Sequence, residues 1–548
     1  MSLATVIRVF HESVREDPDF PAITYCERAG SLEVISRGLL YEQAGRVTRS
    51  FAEHGIQRGD CIVLALPTCC EFFPIYLAAL YSGVVPLTVP SFHGRGDPGF
   101  YATSLAHQAE RAKAVQILVE AEKRETLAPL VPRPLLAAEA LLEAESLQLS
   151  PTARPDDTAH FQSTSGSTGQ PKLAIIRHDN IVANVKAIGR AIAQGPGDKI
   201  LSWLPFYHDM GMICLSCVLY WRRPLVVTKP SNFVRNPFLY WLKLIEETKA
   251  TISPAPTSAY QVCNRLAQRR KIKDLDLSRW RVGFCGAEPV HAETVRQFRE
   301  TFSAYGLSEQ TLLPVYGLAE ATLAVSIPAV GQGAFIKDFD MAALEQENWA
   351  RPPAGGPIFS AVALGQILDG HQIRICDEQG HLLDEARVGR VFVRGPSIIS
   401  GYLGSEEPVA VDAYLDTGDR GFLLDGNLYV IGRYKELVII NGRNLIPHEI
   451  EELVAKTLTE KLCRGVAAFG VVHSGAASES LHLVIETRRA PLANQAEIES
   501  TVYEVCSDVF SLTGVTIHWV GKGGIPRTTS GKIQRFLCRQ HILEEKAV

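Results

Sequence analysis

The chain has 548 residues, too many for one hydrophobic core, and this length predicts about two to four folding units. Its hydrophobic content of 46% and charged content of 21% are those of an ordinary globular protein. A net charge of −5 provides no general basic surface, so no nucleic-acid partner is expected, although a local basic patch for an acidic carrier domain is compatible with it.

Two features bear on the location of the protein. The N-terminal segment reaches the charges of Arg8 and Glu12 too early for the apolar region of a secretory signal. No later stretch has about 18 uninterrupted apolar residues, so no transmembrane segment is predicted. We therefore expect a cytoplasmic protein.

The first part of the chain alternates apolar β-branched runs with amphipathic stretches, as in residues 61–66 followed by residues 71–81. This alternation predicts an α/β fold of layered helices and largely parallel sheets. Residues 137–149 are rich in Ala, Leu and Glu and predict a surface helix. Residues 151–157 predict a connector.

A loop rich in Ser, Thr and Gly follows this connector at residues 163–172. Glycines allow several backbone N–H groups to face one anion, hydroxyls add donors, and a lysine adds a point charge. The candidate phosphate-binding residues are Thr164, Ser165, Gly166, Ser167, Thr168, Gly169 and Lys172. The loop suits a nucleotide triphosphate, although an ordinary surface turn has a similar composition.

This loop is not a P-loop of the Walker type. Pro171 precedes the lysine, and Leu173 and Ala174 follow it where a Ser or Thr would bind magnesium. Residues 173–176 predict a strand instead of a helix.

The second half of the chain changes character. Residues 331–356 have many glycines and prolines with one short helical stretch near 341–347, which indicates a surface insertion. Residues 364–430 predict a small β-rich subdomain. We place the main boundary near Lys435, with an N-terminal domain at 1–434 and a C-terminal α+β domain at 435–548.

The 12 cysteines are scattered, mostly in apolar runs, which favours buried reduced thiols. Cys214 and Cys217 have the spacing of metal ligands. A second Cys or His pair of similar spacing is missing from the sequence, so zinc is the less favoured interpretation.

Six further short motifs follow the phosphate loop in order. They are LPFYHDMG at 204–211, GAEP at 286–289, YGLAE at 316–320, TGD at 417–419, GRYKE at 432–436 and PRTTSGK at 526–532. Together with the loop they resemble, over nearly the full length, the adenylate-forming superfamily of acyl-CoA synthetases, adenylation domains and luciferases. The form YHDMG, the extension of YGLAE to residue 324 and the insertion are most similar to fatty acyl-AMP ligases.

The resemblance implies an enzyme that uses ATP and Mg²⁺ to convert a carboxylic acid, here a fatty acid, into an acyl adenylate. The acyl group would pass to an acyl carrier protein. Joining a carboxylate to a phosphate brings two anions together, so such a site must cancel negative charge. A C-terminal domain that changes orientation is part of the same expectation.

The resemblance also implies roles for individual residues. It assigns catalysis to Lys532, His208 and Glu320, with Glu320 as the magnesium ligand, and the hinge to Lys435. It assigns ATP or AMP binding to the loop residues above and to Gly286, Ala287, Glu288, Tyr316, Gly317, Ala319, Asp419 and Arg433. It assigns the acyl pocket to Met210, Gly211, Met212, Ser258 and Tyr260.

Two departures from the family pattern and two alternatives stay open. Leu173 stands where the family usually has glycine, and Leu445 and Ile446 replace a common His-Tyr pair. An acyl-CoA synthetase that uses CoA as acceptor is the nearest alternative. A catalytically inert nucleotide-binding homologue is the other.

Overall fold

A computed structural model of the protein describes most of the chain. The described residues are 5–92, 97–164, 172–269, 272, 274–405, 409, 413–436, 438–440, 443–458, 462–472, 479–487, 495–510, 512, 515–528 and 531–545.

The helices are, in chain order, α1 (Val6–Glu16), α2 (Arg37–Glu53), α3 (Phe72–Ser82), α4 (Pro98–Arg111), α5 (Ala121–Leu127), α6 (His178–Ala191), α7 (Asp209–Trp221), α8 (Pro230–Arg235), α9 (Leu244–Thr248), α10 (Thr257–Arg269), α11 (Ala292–Ser303), α12 (Pro447–Thr457), α13 (Gln495–Phe510) and α14 (Arg535–Glu545). Short 3₁₀ or π-helical turns lie at Glu139–Leu142, Phe238–Lys243, Ala319–Ala321, Ala343–Glu347 and Tyr434–Glu436.

The strands are, in chain order, β1 (Pro21–Arg28), β2 (Ser31–Ser36), β3 (Cys61–Ala65), β4 (Val85–Thr88), β5 (Gln116–Val119), β6 (Leu135–Ala137), β7 (Thr158–Thr164), β8 (Lys172–Arg177), β9 (Ile200–Ser202), β10 (Leu225–Thr228), β11 (Ile252–Pro256), β12 (Val282–Gly286), β13 (Leu312–Pro314), β14 (Tyr316–Gly317), β15 (Ala324–Ile327), β16 (Ile336–Asp340), β17 (Ile358–Val362), β18 (Gln366–Ile367), β19 (Gln372–Cys376), β20 (Gly389–Arg394), β21 (Leu415–Leu424), β22 (Asn427–Arg433), β23 (Val438–Ile440), β24 (Arg443–Leu445), β25 (Cys463–Val472), β26 (Glu479–Thr487) and β27 (Val515–Val520).

Two large sheets organise the N-terminal half. The seven-stranded sheet has the order β13-β12-β11-β9-β10-β1-β2, and the six-stranded sheet has the order β6-β5-β3-β4-β7-β8. Their strands run parallel except at the β1–β2 and β7–β8 pairs. The layered α/β fold predicted from the alternating pattern is confirmed.

A central apolar core lies between these sheets. It combines Ile62 and Leu64 of β3 with Leu225 and Val227 of β10, and α3, α6 and α7 supply the side chains between them. The sequence of α7 is apolar around its whole circumference, so this helix can be buried on all sides. Separate clusters cover the outer faces of both sheets.

Smaller sheets complete the second half. The strands β19 to β22 form an antiparallel sheet, which confirms the predicted β-rich region. Near the C-terminus, β25, β26 and β27 form a mixed sheet that packs on α12. An apolar cluster that contains Phe422, Tyr429, Ile450 and Leu483 crosses the predicted domain boundary, which itself stays a prediction.

The prediction of a surface helix at 137–149 is wrong for most of its length. Residues 135–137 belong to β6, and only Glu139–Leu142 forms a helical turn. Beyond it, the Ser146 hydroxyl donates to the Glu42 carbonyl and the Leu149 N–H donates to the Tyr41 hydroxyl. These contacts with α2 hold the segment extended and override its helix propensity.

The region at 331–356 is more ordered than its composition suggests. β16 pairs in antiparallel register with β17, and the predicted helical stretch is the π-helical turn Ala343–Glu347. We call residues 336–362 the insertion hairpin. Within the described part of the chain, no helix is long and apolar enough to cross a membrane.

Candidate active site

A cavity of about 2180 Å³ lies where the two large sheets, the β19–β22 sheet and the C-terminal segments meet. Its walls include residues from most of the motifs identified in the sequence. Thr164, Lys172, His208, Glu320, Asp419 and Lys532 all line it. Residues separated by more than three hundred positions are therefore brought together.

The ends of the phosphate loop are fixed by strand pairing. Thr164 ends β7, Lys172 begins β8, and the two residues pair directly. Ser165, Gly166, Ser167, Thr168 and Gly169 lie outside the described residues. The strand predicted after Lys172 is confirmed.

Leu173 has a structural explanation. Its side chain is buried in the apolar cluster on the outer face of the six-stranded sheet, and its carbonyl accepts a bond from the Leu403 N–H. The side chain thus packs in this cluster instead of pointing into the cavity.

Glu320 lies in the short 3₁₀ turn between β14 and β15. The Tyr402 hydroxyl donates to its Oε1 at 2.9 Å. Nearby, Thr322 has a φ of 68°, which is strained for a β-branched residue, and its hydroxyl donates to the Ser397 carbonyl. Asn184 binds both the N–H and the carbonyl of Ala324, so the turn that carries Glu320 is held from several sides.

Asp419 and Arg433 are cross-strand partners on β21 and β22. Arg433 Nε lies 3.2 Å from Asp419 Oδ1, and the Tyr316 hydroxyl donates to Oδ2 at 2.6 Å. Burial raises the pKa of Asp419, although Arg433, Tyr316 and Lys532 oppose this shift. The carboxylate is thus oriented by two partners and keeps lone pairs that can accept further bonds.

The backbone around Gly286 and Gly317 requires small residues. A Cβ on Gly286 would lie 2.8 Å from the Val315 carbonyl oxygen, and one on Gly317 would lie 1.9 Å from that of Leu323. Ala287 has a φ of 61° and lines the cavity together with Ala319. Gly317 also lines the cavity, whereas Gly286, which packs against Val315, does not.

Glu288 and Ser258 interact with each other at the cavity wall. The carboxylate of Glu288 accepts bonds from the N–H of Ser258 at 2.8 Å and from its hydroxyl at 3.2 Å. This carboxylate therefore caps the start of α10.

His208 occupies the N-cap position of α7, and its Nδ1 lies 2.6 Å from Asp209 Oδ1. Burial disfavours the Asp209 carboxylate, but the charges of His208 and Lys532 outweigh it and lower the pKa of Asp209. Sequence reasoning missed Asp209, although its position beside His208 was a signal.

Lys532 lies in a tight turn of the C-terminal segment. The Thr528 N–H donates to the Lys532 carbonyl at 2.8 Å, and the Lys532 N–H donates to the Thr528 hydroxyl at 3.0 Å. The lysine charge acts on both Asp209 and Asp419, which stand on different parts of the wall. Lys532 thus lines one cavity with both carboxylates.

Arg535 connects this turn to the hinge region. Its guanidinium donates to both oxygens of Glu451, at 2.8 and 2.7 Å, and pairs with Glu436. Glu436 belongs to the 3₁₀ turn Tyr434–Glu436, which contains Lys435. The side chain of Lys435 lies outside the described residues.

Part of the cavity wall, here called the apolar branch, consists of side chains that belong to the central core or pack against it. It comprises Ile188, Ile192, Ile200, Cys214, Cys217, Ile252, Phe284, Val315, Leu323, Ala324 and Ile327. Met210, Cys214 and Cys217 are spaced i, i+4 and i+7, so they share one face of α7.

Of the five residues predicted for the acyl pocket, Met210 and Ser258 line the cavity. Gly211, Met212 and Tyr260 do not. Met212 is buried in the central core, and Tyr260 is buried with its hydroxyl bound to the Phe284 carbonyl. A Cβ on Gly211 would meet the Pro205 carbonyl oxygen at 2.3 Å.

Fold and cavity together define an adenylate-forming enzyme, in which the paired Asp419 and Arg433, a group of apolar side chains and the C-terminal Lys532 line one cavity. A family model described as AMP-binding enzyme matches residues 10–403. The chain belongs to this family, and the predicted adenylate-forming enzyme that uses ATP is confirmed.

Individual relatives span nearly the whole chain. A putative acyl-CoA synthetase of Caulobacter vibrioides is 29% identical, with 93% of this chain and 91% of the relative covered. The medium-chain-fatty-acid–[acyl-carrier-protein] ligase TtuA of Teredinibacter turnerae is 29% identical, with 98% and 94% covered. A solved fatty acyl-adenylate ligase structure, from studies of the E. coli and L. pneumophila enzymes, has a TM-score of 0.89 at 30% identity and covers 99% of this chain and 98% of that one.

Proposed function

We propose that the protein activates a fatty acid with ATP, forms an acyl adenylate with release of pyrophosphate, and transfers the acyl group to the phosphopantetheine thiol of an acyl carrier protein with release of AMP. One observation carries this proposal. Lys532 lines the same cavity as the paired Asp419 and Arg433 and as His208, beside an apolar branch suited to an aliphatic chain.

In the first step a carboxylate oxygen bonds to the α-phosphorus of ATP. The bond from that phosphorus to the β-phosphate oxygen breaks, and the electron pair leaves with pyrophosphate. Lys532 reduces the repulsion between the two anions, because its compact ammonium can follow the negative charge as it moves. His208, held by Asp209, orients the acid.

Asp419 is proposed to accept bonds from the ribose hydroxyls, with Arg433 beside it and Tyr316 next to the base. The phosphate loop and Lys172 would hold the β- and γ-phosphates.

The proposed magnesium ligand is Glu320. Mg²⁺ in such sites is held by one or two carboxylates, substrate phosphates and water, and one oriented carboxylate in the cavity that Lys172 also lines fits that requirement. A bound Mg²⁺ would neutralise phosphate charge.

The carrier protein is favoured over CoA by the position of the insertion hairpin. Phe339, Met341 and Leu344 of this hairpin share one apolar cluster with Leu445 and Ile446. A hairpin that packs on strands of the C-terminal part resists the domain rotation that CoA transfer requires in the resembling enzymes. TtuA is named for an acyl-carrier-protein reaction, whereas the Caulobacter relative is named for CoA, so both acceptors need testing.

A panel of carboxylic acids, incubated with ATP and with either CoA or a pantetheinylated carrier, tests the proposal. We expect acyl-AMP with fatty acids and transfer to the carrier. Robust acyl-CoA would favour the CoA alternative, and tight ATP binding without acyl-AMP would favour an inert homologue. The predicted cytoplasmic location stays a prediction.

A further inference from the structure

Tyr402 lies in the connection after β20 and is fixed to the strand that follows the phosphate loop. It forms an isolated antiparallel bridge with Ala174 of β8. On either side of it, the Leu403 N–H donates to the Leu173 carbonyl and the Ile175 N–H donates to the Gly401 carbonyl. The backbone of Tyr402 therefore behaves as an added strand beside β8.

The side chain of Tyr402 contacts two charged groups of the site. Its hydroxyl donates to Glu320 Oε1 at 2.9 Å. Lys172 Nζ lies 4.8 Å from the centroid of its ring, which is within the range of a cation–π interaction. One half-buried aromatic residue thus joins the proposed magnesium ligand to the lysine of the phosphate loop.

The chemistry of Mg²⁺ gives this contact a purpose. Mg²⁺ requires near-octahedral geometry and short oxygen distances, so a single carboxylate ligand must be well oriented. The bond to Oε1 fixes the carboxylate and leaves Oε2 to accept a ligand. Partners of this kind commonly tune metal sites without touching the ion.

We infer that Tyr402 is a positioning residue that orients Glu320 for the metal through its hydroxyl and Lys172 for the phosphates through its ring. The inference rests on the proposed function, because it takes Glu320 as the magnesium ligand.

Two substitutions separate the two contacts. Tyr402→Phe removes the hydroxyl and keeps the ring, whereas Tyr402→Leu removes both. ATP binding is measured by calorimetry with Mg²⁺ and again with Mg²⁺ removed by a chelator. We expect Tyr402→Phe to weaken ATP binding about tenfold with Mg²⁺, the usual effect of losing a hydrogen bond to a charged group, and to leave binding without Mg²⁺ unchanged. Tyr402→Leu should weaken both.

The matched control is Tyr41→Phe. Tyr41 is half-buried, donates to the Leu149 carbonyl at 3.1 Å, and lies away from the cavity. Tyr41→Phe should leave the affinity for ATP unchanged both with and without Mg²⁺. Thermal unfolding checks that the variants fold. If Tyr402→Leu does not fold, Tyr402→Phe alone provides the test.

Glu320→Gln distinguishes the two possible failures. If Glu320→Gln leaves the magnesium dependence of ATP binding intact, the assignment of Glu320 within the proposed function is wrong. The role of Tyr402 is overturned if Glu320→Gln removes the magnesium dependence of ATP binding but Tyr402→Phe does not change it. The same holds if Tyr402→Phe weakens ATP binding equally with and without Mg²⁺. In the Glu320→Gln background, Tyr402→Phe should have no further effect.

Discussion

His291 Nδ1 lies 3.0 Å from Glu452 Oε2, and this ion pair joins the N-terminal end of α11 to α12. Both side chains are largely shielded from water. Lys456 also pairs with Glu452, and the His448 ring packs edge-on against His291. The pair therefore connects the N-terminal part of the chain to the C-terminal part, which carries Lys532, in the orientation in which Lys532 lines the cavity.

This pair predicts a pH-dependent contact between the two parts. Burial works against the charged imidazole, but Glu452, Glu449 and Glu451 outweigh it and raise the pKa of His291 above 6.5. Burial likewise opposes the charge on Glu452, yet His291 and Lys456 lower its pKa to about 2. A histidine with a raised pKa stabilises the contact fully below its ordinary value and loses that effect as pH rises through the raised value.

We therefore expect the joined orientation to become less populated as pH rises above 6.5. Solution X-ray scattering across this range measures the change. His291→Gln should remove this pH dependence, while His381→Gln, at an exposed pair with Asp377, should retain it. An identical pH profile in wild type and His291→Gln would contradict the prediction.

Arg535 is expected to stabilise the C-terminal part strongly. Its side chain is 15% exposed and pairs with two carboxylates, so Arg535→Met removes the cationic partner of Glu451, a carboxylate that is only 10% exposed. We expect a loss of about 3–5 kcal/mol in the free energy of unfolding of this part, measured by denaturant titration. Lys456→Met breaks the more exposed pair with Glu452 on α12 and should cost about 0–1 kcal/mol. Equal losses in the two variants would argue against the buried network.

Cys217 is expected to limit the length of the acyl chain. It stands seven residues after Met210 on the same face of α7, about 10 Å further along the helix. Cys217→Phe should reduce acyl-AMP formation from long acids about tenfold and spare short acids, because the added ring fills the far end of the branch. Met212→Leu, in the core beside it, is the control. A uniform loss for all chain lengths would mean that the apolar branch does not hold the acyl chain.

Leu344 is expected to influence the choice of acceptor. Its side chain is 1% exposed and lies in the cluster that joins the insertion hairpin to Leu445 and Ile446. Leu344→Ala removes about 2–5 kcal/mol of packing, which should free the C-terminal part and raise the ratio of acyl-CoA to acyl-AMP. Leu382→Ala, at a residue that is 68% exposed, should not change this ratio. If Leu344→Ala does not raise the ratio of acyl-CoA to acyl-AMP, the insertion hairpin does not determine the choice of acceptor.

The sequence predicted the layers of the fold and several polar residues of the cavity wall, because both depend on local patterns. The alternation of strands and helices is local, and so is each short motif. It did not predict which face of α7 lines the cavity, since a helix buried between two sheets is apolar all round and has no periodicity to read. For this reason Met212 was predicted for the acyl pocket, whereas Cys217 was missed.

Contacts between distant segments also could not be predicted from the sequence. Tyr402 reaches Glu320 only because its backbone pairs with β8, and the pairing of His291 with Glu452 depends on how two parts of the chain meet. Residues 137–149 illustrate the opposite case, in which contacts with α2 outweighed local helix propensity.

The most direct test of the account is fatty-acid-dependent exchange of pyrophosphate into ATP, measured for the wild type, Lys532→Ala and Lys522→Ala. Lys522 is an exposed lysine of the same C-terminal segment and serves as the matched control. We predict exchange in the wild type and in Lys522→Ala, and a loss of at least about a hundredfold in Lys532→Ala with an unchanged melting temperature. Undiminished exchange in Lys532→Ala would contradict the central claim that this lysine brings the two anions together.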